Sequence, residues 1–198
     1  MKIVDLELPG AALIDVEPFH DNRGVFSRFF CAHELRNVLG DRSIVNVNFS
    51  RTLAKGTIRG MHFQRSPHAE MKFVRCIRGR VFDVIVDMRG DSATFMRWHG
   101  EMLSAENMRM LVVPEGFAHG FQALEDDSEL LYLTTAFYNA SAEGGLRYND
   151  SLLGIRWPLP VASISEKDAS HPLLESRTEF NKRGHYCPVK SDCTDVTI

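Results

Sequence analysis

The sequence is poor in cysteine, and Cys31, Cys76, Cys187 and Cys193 form no Cys-x-x-Cys pair. That excludes a zinc ribbon and a disulfide framework as the organising device. Cys187 and Cys193 lie close enough to close a small loop, but a chain of 198 residues can build a core without staples, so reduced thiols are the expectation. There is no excess of positive charge. Lys and Arg total 23 against 26 Asp and Glu, a net charge of -3, which argues against a general nucleic-acid binder. An anionic ligand would have to be held by local Arg and Lys side chains. No apolar run approaches the length of a membrane-spanning helix. Met1 to Gly10 mixes one lysine with acids and does not read as a signal peptide. A cytoplasmic chain with no membrane partner is therefore expected. Internal repeats and low-complexity segments are also missing.

What is present is a long series of short strand patterns. Met1 to Pro18 reads as one or two strands broken at Pro9-Gly10, and Asp21-Asn22-Arg23-Gly24 reads as a turn before an aromatic strand from Val25 to Phe30. Ala32 to Leu39, closed by Gly40, is the best helix of the first half. From Ile44 the period changes to two: Ile44–Ser50 alternates apolar and polar residues, and Thr57–Phe63 follows as another strand. Met71–Ile77 and Val81–Met88 flank Arg78-Gly79-Arg80, a hairpin signal. Strand patterns at Phe95–Met102, Met108–Val113, Phe117–Leu124 and Glu129–Phe137 are separated by turn residues. So many short strands with few helices indicate an antiparallel all-β barrel or sandwich in one domain over residues 1–176. Residues 177–198 have little apolar periodicity and read as a loosely structured tail.

The chemistry gathers around Arg59-Gly60-Met61-His62-Phe63-Gln64 and Lys72. If their strands are neighbours in one sheet, His62 and Lys72 point into one pocket, suited to proton chemistry beside a carbonyl. Tyr132 and Asp168 come from separate segments and complete the candidate set. A neutral histidine is a natural general base, and a buried carboxylate fixes its tautomer and supports its cation. A lysine ammonium can stabilise an oxyanion, and a tyrosine hydroxyl can return a proton from another face. A core histidine with satisfied hydrogen bonds is the plain alternative for His62. Arg23, Arg51 and Arg59 sit near turns or strand ends and suit phosphate oxygens. Asn46, Asn48, His119 and Glu143 are polar residues beside apolar stretches, open to hydroxyl or base recognition or to ordinary structural hydrogen bonds.

Pro114-Glu115-Gly116-Phe117-Ala118-His119 resembles the second motif of the cupin superfamily, and Gly56 followed by His62 resembles the start of the first. A metal-binding cupin would need a second histidine two residues after His62, where this chain has Gln64; Glu70 could stand for the acidic ligand. The set His62, Glu70 and His119 is thin for a metal, and a cupin barrel given over to acid–base catalysis is the expectation.

Many ordered stretches then resemble the dTDP-4-dehydrorhamnose 3,5-epimerase family and its nucleotide-sugar relatives. They include Asp21–Phe26, Asn48-Phe49-Ser50, Ile58–Gln64, Lys72–Cys76, Val81–Arg89, Leu103–Asn107, Pro114–Phe121, Tyr148-Asn149-Asp150 and Ser165-Glu166-Lys167-Asp168. The resemblance implies a homodimeric cupin jelly roll with a few short helices, needing no metal or other cofactor, and acting on a nucleotide 4-keto-6-deoxyhexose in L-rhamnose-type deoxysugar synthesis. It implies His62 as base with Asp168 as its partner, Lys72 steadying the enolate and Tyr132 as the opposed acid. It implies substrate contacts at Arg23, Arg28, Asn46, Asn48 and Arg59, and further ones at His119, Tyr138, Glu143 and Lys167. The chain departs from the family at Arg28, where a Glu is usual, at Asn46 and Glu70, where Gln is usual, and at Leu133 and Phe137, where more polar residues are usual. These departures fall on recognition, so a CDP- or GDP-linked substrate, or inversion at C3 alone, stands as the alternative to a dTDP sugar inverted at C3 and C5.

Overall fold

The computed structural model describes residues 1–174. In chain order the elements are β1 (Lys2–Asp5), β2 (Ala12–Asp15), β3 (Phe19–Asp21), β4 (Gly24–Phe26), α1 (Arg36–Leu39), β5 (Asn46–Thr52), β6 (Ile58–Gln64), β7 (Lys72–Arg78), β8 (Arg80–Asp87), β9 (Trp98–Ser104), β10 (Met110–Val113), β11 (Phe117–Ala123), β12 (Ser128–Thr134), β13 (Glu143–Gly145) and α2 (Glu166–Ala169). The strands form a six-stranded sheet ordered β1-β2-β10-β7-β12-β5, a five-stranded sheet ordered β13-β6-β11-β8-β9, and a β3-β4 ribbon. Pairing between these strands is antiparallel. This is the expected all-β jelly roll. No helix among the described residues is long and apolar enough to cross a membrane.

Alternation along each strand decides what lies between the sheets. Val74 and Cys76 of β7, Leu130 of β12, Val81 and Ile85 of β8, and Phe117 and Phe121 of β11 meet in one buried cluster. Their neighbours Phe73, Met110 and Val112 point the other way, under Leu35 and Leu39 beside α1. On the far side, Met61, Val84, Val86 and Ala118 lie under Leu146, Leu153 and Leu174. Both outer faces are thus partly covered. The inner layer is apolar at one end, and its inward positions turn polar along β5, β6, β7 and β12 at the other.

Several expectations are corrected. Arg78-Gly79-Arg80 is not a hairpin within a sheet: β7 belongs to the six-stranded sheet and β8 to the five-stranded one, so the chain turns a corner there. Gly79 has φ +71, and a Cβ on it would come within 2.7 Å of Ser128 Oγ. A positive-φ glycine serves a corner as well as a hairpin turn. The helix expected over 32–39 is confined to α1, with turns before it; Gly40 closes it as expected, donating its N–H to the Arg36 carbonyl at 2.9 Å. The strand expected from Phe95 begins at Trp98, because Met96 turns back to hydrogen-bond Asp87. The aromatic strand from Val25 stops at Phe26. The expected boundary at residue 176 and the tail beyond it, with Cys187 and Cys193, lie outside the described residues.

Candidate active site

A cavity of about 770 Å³ opens at the polar end between the two sheets, lined among others by Asn46, Asn48, Ser50, Arg59, His62, Glu70, Lys72, His119, Tyr132, Tyr138, Lys167 and Asp168. His62 and Lys72 do share it, but not from neighbouring strands: β6 and β7 lie in opposite sheets. The cavity therefore has two chemical walls, His62 with His119 on the five-stranded sheet and Lys72 with Tyr132 on the six-stranded one. That separation suits a reaction that takes a proton from one side and returns it from the other.

His62 Nε2 lies 2.7 Å from Asp168 Oδ1. Asp168 is buried, and Gly60 donates its backbone N–H to Oδ2 at 3.1 Å. Ser165, the N-cap of α2, accepts the Asp168 amide at 3.0 Å, so a capping arrangement delivers this carboxylate to β6. Burial pushes the Asp168 carboxyl up, but the His62 and Gly60 hydrogen bonds outweigh it and hold the group below its ordinary value. An ionised Asp168 only accepts, so Nε2 carries the proton and Nδ1 is left with a lone pair. Gly60 is itself required: at φ +124, a Cβ on it would lie 2.5 Å from Gly120 Cα on the paired strand.

The opposite wall is arranged as an acid and a cation. Tyr132 Oη and Ser50 Oγ share a hydrogen bond of 2.9 Å, and burial drives the phenol well above its ordinary pKa, which keeps its proton on. Lys72 Nζ lies 3.2 Å from Glu70 Oε1. Across from them, on the wall of His62, His119 bonds the fully buried Asp83 through Nε2 at 2.8 and 3.0 Å, and its ring packs edge-on to Tyr132 at 6.2 Å. Burial raises the Asp83 carboxyl and the His119 contact opposes it.

At the mouth, Lys167 Nζ holds both oxygens of Glu143 at 2.7 Å, and Tyr138 donates to Glu143 Oε2 at 2.9 Å. Arg59 is braced by Thr52 Oγ1 and the Arg51 carbonyl, and Asn46 by Thr134 Oγ1 and the Ala136 carbonyl. Asn48 sits opposite Tyr132 in the β5–β12 register. Two expected binding residues are elsewhere. Arg23, its side chain 85% exposed, pairs with Asp21 at the ribbon turn, and Arg28 pairs with Glu34 at 2.7 Å; neither lines the cavity of its own chain. The alternative metal set also fails as a cluster, because Glu70 is taken by Lys72 and His119 by Asp83. Among the described residues, the group whose ligand atoms come within 4.8 Å of one another is His62, Asp168 and His171.

Sequence reasoning assigns no role to Ser50, Asp83, the Gly60 amide or His171. Asp83 carried a usable signal, a carboxylate at an inward position of the apolar run Val81–Val86. The Gly60 amide carried none.

Known proteins resemble this chain in sequence and fold. The sequence model described as dTDP-4-dehydrorhamnose 3,5-epimerase matches residues 5–176. The chain belongs to the dTDP-4-dehydrorhamnose 3,5-epimerase family. It is 41% identical over 177 residues to the dTDP-4-dehydrorhamnose 3,5-epimerase of Salmonella typhimurium, covering 88% of this chain and 96% of the relative. Its fold matches dTDP-6-deoxy-D-glucose-3,5-epimerase of Legionella pneumophila, solved with dTDP-4-keto-L-rhamnose, at TM-score 0.83 and 38% identity over 88% of this chain and 93% of that one. It also matches ChmJ, a 3'-monoepimerase from Streptomyces bikiniensis solved with dTDP-quinovose, at TM-score 0.81 and 31% identity, covering 87% of each. This membership makes the jelly roll a cupin barrel and the chain a member of an isomerase family.

Proposed function

We propose that this chain epimerises C3 and C5 of a dTDP-linked 4-keto-6-deoxyhexose, in the synthesis of an L-rhamnose-type sugar. The observation that carries the reading is the His62–Asp168 pair facing Tyr132 and Lys72 across a single cavity. The 4-keto group acidifies the hydrogens on both adjacent carbons. His62 takes one through Nδ1, the electron pair moves to the C4 oxygen, and the Lys72 ammonium steadies the resulting enolate. Asp168 supports the imidazolium, and Tyr132 returns a proton to the opposite face of the same carbon. Proton transfer alone balances the reaction, so no metal or redox cofactor is needed. Asn46, Asn48, Arg59, His119, Tyr138, Glu143 and Lys167 are the substrate contacts of this reading.

The same reading has the chain work as a homodimer. Val47, Phe49 and Leu53 are well exposed on or beside β5, the edge strand of the six-stranded sheet, and Phe19 and Phe26 are exposed on the ribbon. Apolar patches of this kind favour a second copy. Arg23 and Arg28, outside their own cavity, would then serve the partner's substrate. Cytoplasmic location fits free thiols at Cys31 and Cys76.

The test is to incubate the chelator-treated protein with dTDP-4-keto-6-deoxyglucose in heavy water and follow the sugar by proton NMR. Loss of both the C3 and C5 signals is the expected result. Loss at C3 alone would replace the reading by a monoepimerase, which the likeness to ChmJ makes the second candidate. Turnover of CDP or GDP analogues only would overturn the dTDP assignment.

A further inference from the structure

His171 is a residue to which the proton-transfer chemistry gives no task. It follows Asp168 by three residues, just past α2, and its ring occupies space that exists only because residue 145 is glycine: a Cβ there would overlap the imidazole. Gly145 is the register partner of His62 across β13 and β6. The fold therefore seats a second imidazole against the backbone opposite His62. The ligand atoms of His62, Asp168 and His171 all come within 4.8 Å of one another, with Asp168 buried and the histidines partly so.

We infer that His62, Asp168 and His171 form a binding site for a divalent transition-metal ion of the zinc class, and that the bound ion shuts off the base. Two imidazole nitrogens and one carboxylate oxygen are a donor set for zinc or cobalt, not for magnesium or calcium, which prefer oxygen. Such a site needs ligand atoms roughly 3.3 Å apart, given metal bonds of about 2.0–2.2 Å. The His62–Asp168 pair, now at 2.7 Å, must open by about half an ångström, and His171 must close by no more than ~1.5 Å. Those are side-chain rotations. Asp168 is already steered by the Gly60 amide and by Ser165, the outer support that ligating carboxylates use.

The ion takes the place of the proton that His62 Nε2 shares with Asp168, and that proton moves by way of solvent to Nδ1, so the ring stays neutral. A neutral imidazole bound through Nε2 carries its one proton on Nδ1, so no lone pair is left to attack a C–H bond. The inhibitory half of the inference rests on His62 being the base; the binding half does not.

The experiment uses the full-length chain, washed with chelator and titrated with cobalt(II), read by the visible absorption of tetrahedral cobalt. One ion per chain is expected in the wild type, with affinity falling by more than about tenfold in both His171→Gln and His171→Asn, since even outer supports of a metal ligand are worth that much. Zinc should suppress hydrogen exchange of the sugar in the wild type, reversibly by chelator, and leave His171→Gln exchanging at the metal-free wild-type rate. Absence of tetrahedral cobalt, equal affinity in wild type and both variants, or full exchange in the zinc-saturated wild type would overturn the inference. If the metal-free wild type exchanges no hydrogen, the epimerase reading falls and the inhibition with it, while the cobalt titration still decides the site.

Discussion

Asp168→Asn changes one atom and, on this geometry, moves one proton. The carboxylate accepts on both oxygens, from the Gly60 N–H at 3.1 Å and from His62 Nε2 at 2.7 Å. An amide has only one acceptor oxygen. The Gly60 N–H belongs to a strand and cannot invert, so the oxygen turns to it and the NH2 group faces His62. The reverse flip sets donor against donor in a buried place, at about 1–3 kcal/mol. With an amide N–H aimed at it, His62 Nε2 must accept, the ring proton shifts to Nδ1, and the base loses its lone pair. The variant also loses the charge that supports the imidazolium. The equivalent exchange in a Ser-His-Asp triad costs about 10⁴ in rate, so a loss of roughly 10³–10⁴ is expected here, about 4–5.5 kcal/mol of barrier. The fold should survive, since one charge-assisted hydrogen bond is worth only about 1.5–3 kcal/mol. The assay is the rate of deuterium entry into the sugar, paired with nitrogen-15 NMR of the His62 ring. Exchange within about tenfold of wild type, or a ring still protonated at Nε2, would refute the reasoning.

Tyr132→Phe should let deuterium enter while inversion at the same carbon slows, because the base stands on the other wall; equal loss of both, read by NMR of the product, would contradict the assigned role. Asp87 is fully buried and accepts from Arg89, Ser92 and Thr94. Burial alone would push its carboxyl up, but these bonds hold it at about 2. Its folded value is below the unfolded one, so its contribution of about 2 kcal/mol is present above roughly pH 4 and fades as pH falls toward 2. Asp87→Asn should be less stable in denaturant melts at neutral pH and flatter in acid; an unchanged acid limb would count against this. Gly60→Ala should cost at least ~2 kcal/mol, from the positive φ and the close approach to Gly120, and should lower exchange by disturbing the amide that holds Asp168. A variant with normal melting and normal turnover would show that neither constraint matters.

The strand series was legible because alternation is a local property: Asn46–Ser50 and Val81–Asp87 declare their inward faces residue by residue. Which sheet a strand joins is not local. Gly79 looks the same in a hairpin and at a corner, and so His62 and Lys72 were expected side by side when they face each other. Asp168 lies 106 residues beyond His62, a distance no spacing rule spans; it was found through the ordered motif Ser165-Glu166-Lys167-Asp168, and the capping bond of Ser165 gives the physical reason that motif works. Arg23 and Arg28 show the reverse limit. Their chemistry suits phosphate, yet the ribbon and the Glu34 pairing carry them away from their own cavity. Arg75 was equally unreadable: it sits buried on the outer face of β7 with its guanidinium 4.1 Å from the centre of the Phe29 ring, where an arginine on an alternating strand would be expected to meet solvent. His171 carried no pattern at all, because what seats it is the missing side chain of Gly145.

The central claim is that His62 removes hydrogens from a 4-keto sugar without help from a cofactor. The most direct measurement follows wild type and His62→Ala side by side, both chelator-treated, with dTDP-4-keto-6-deoxyglucose in heavy water, and checks each fold by circular dichroism. The account predicts that the C3 and C5 proton signals vanish with the wild type and persist with His62→Ala, the fold being retained in both. Near-normal exchange in the variant would contradict it.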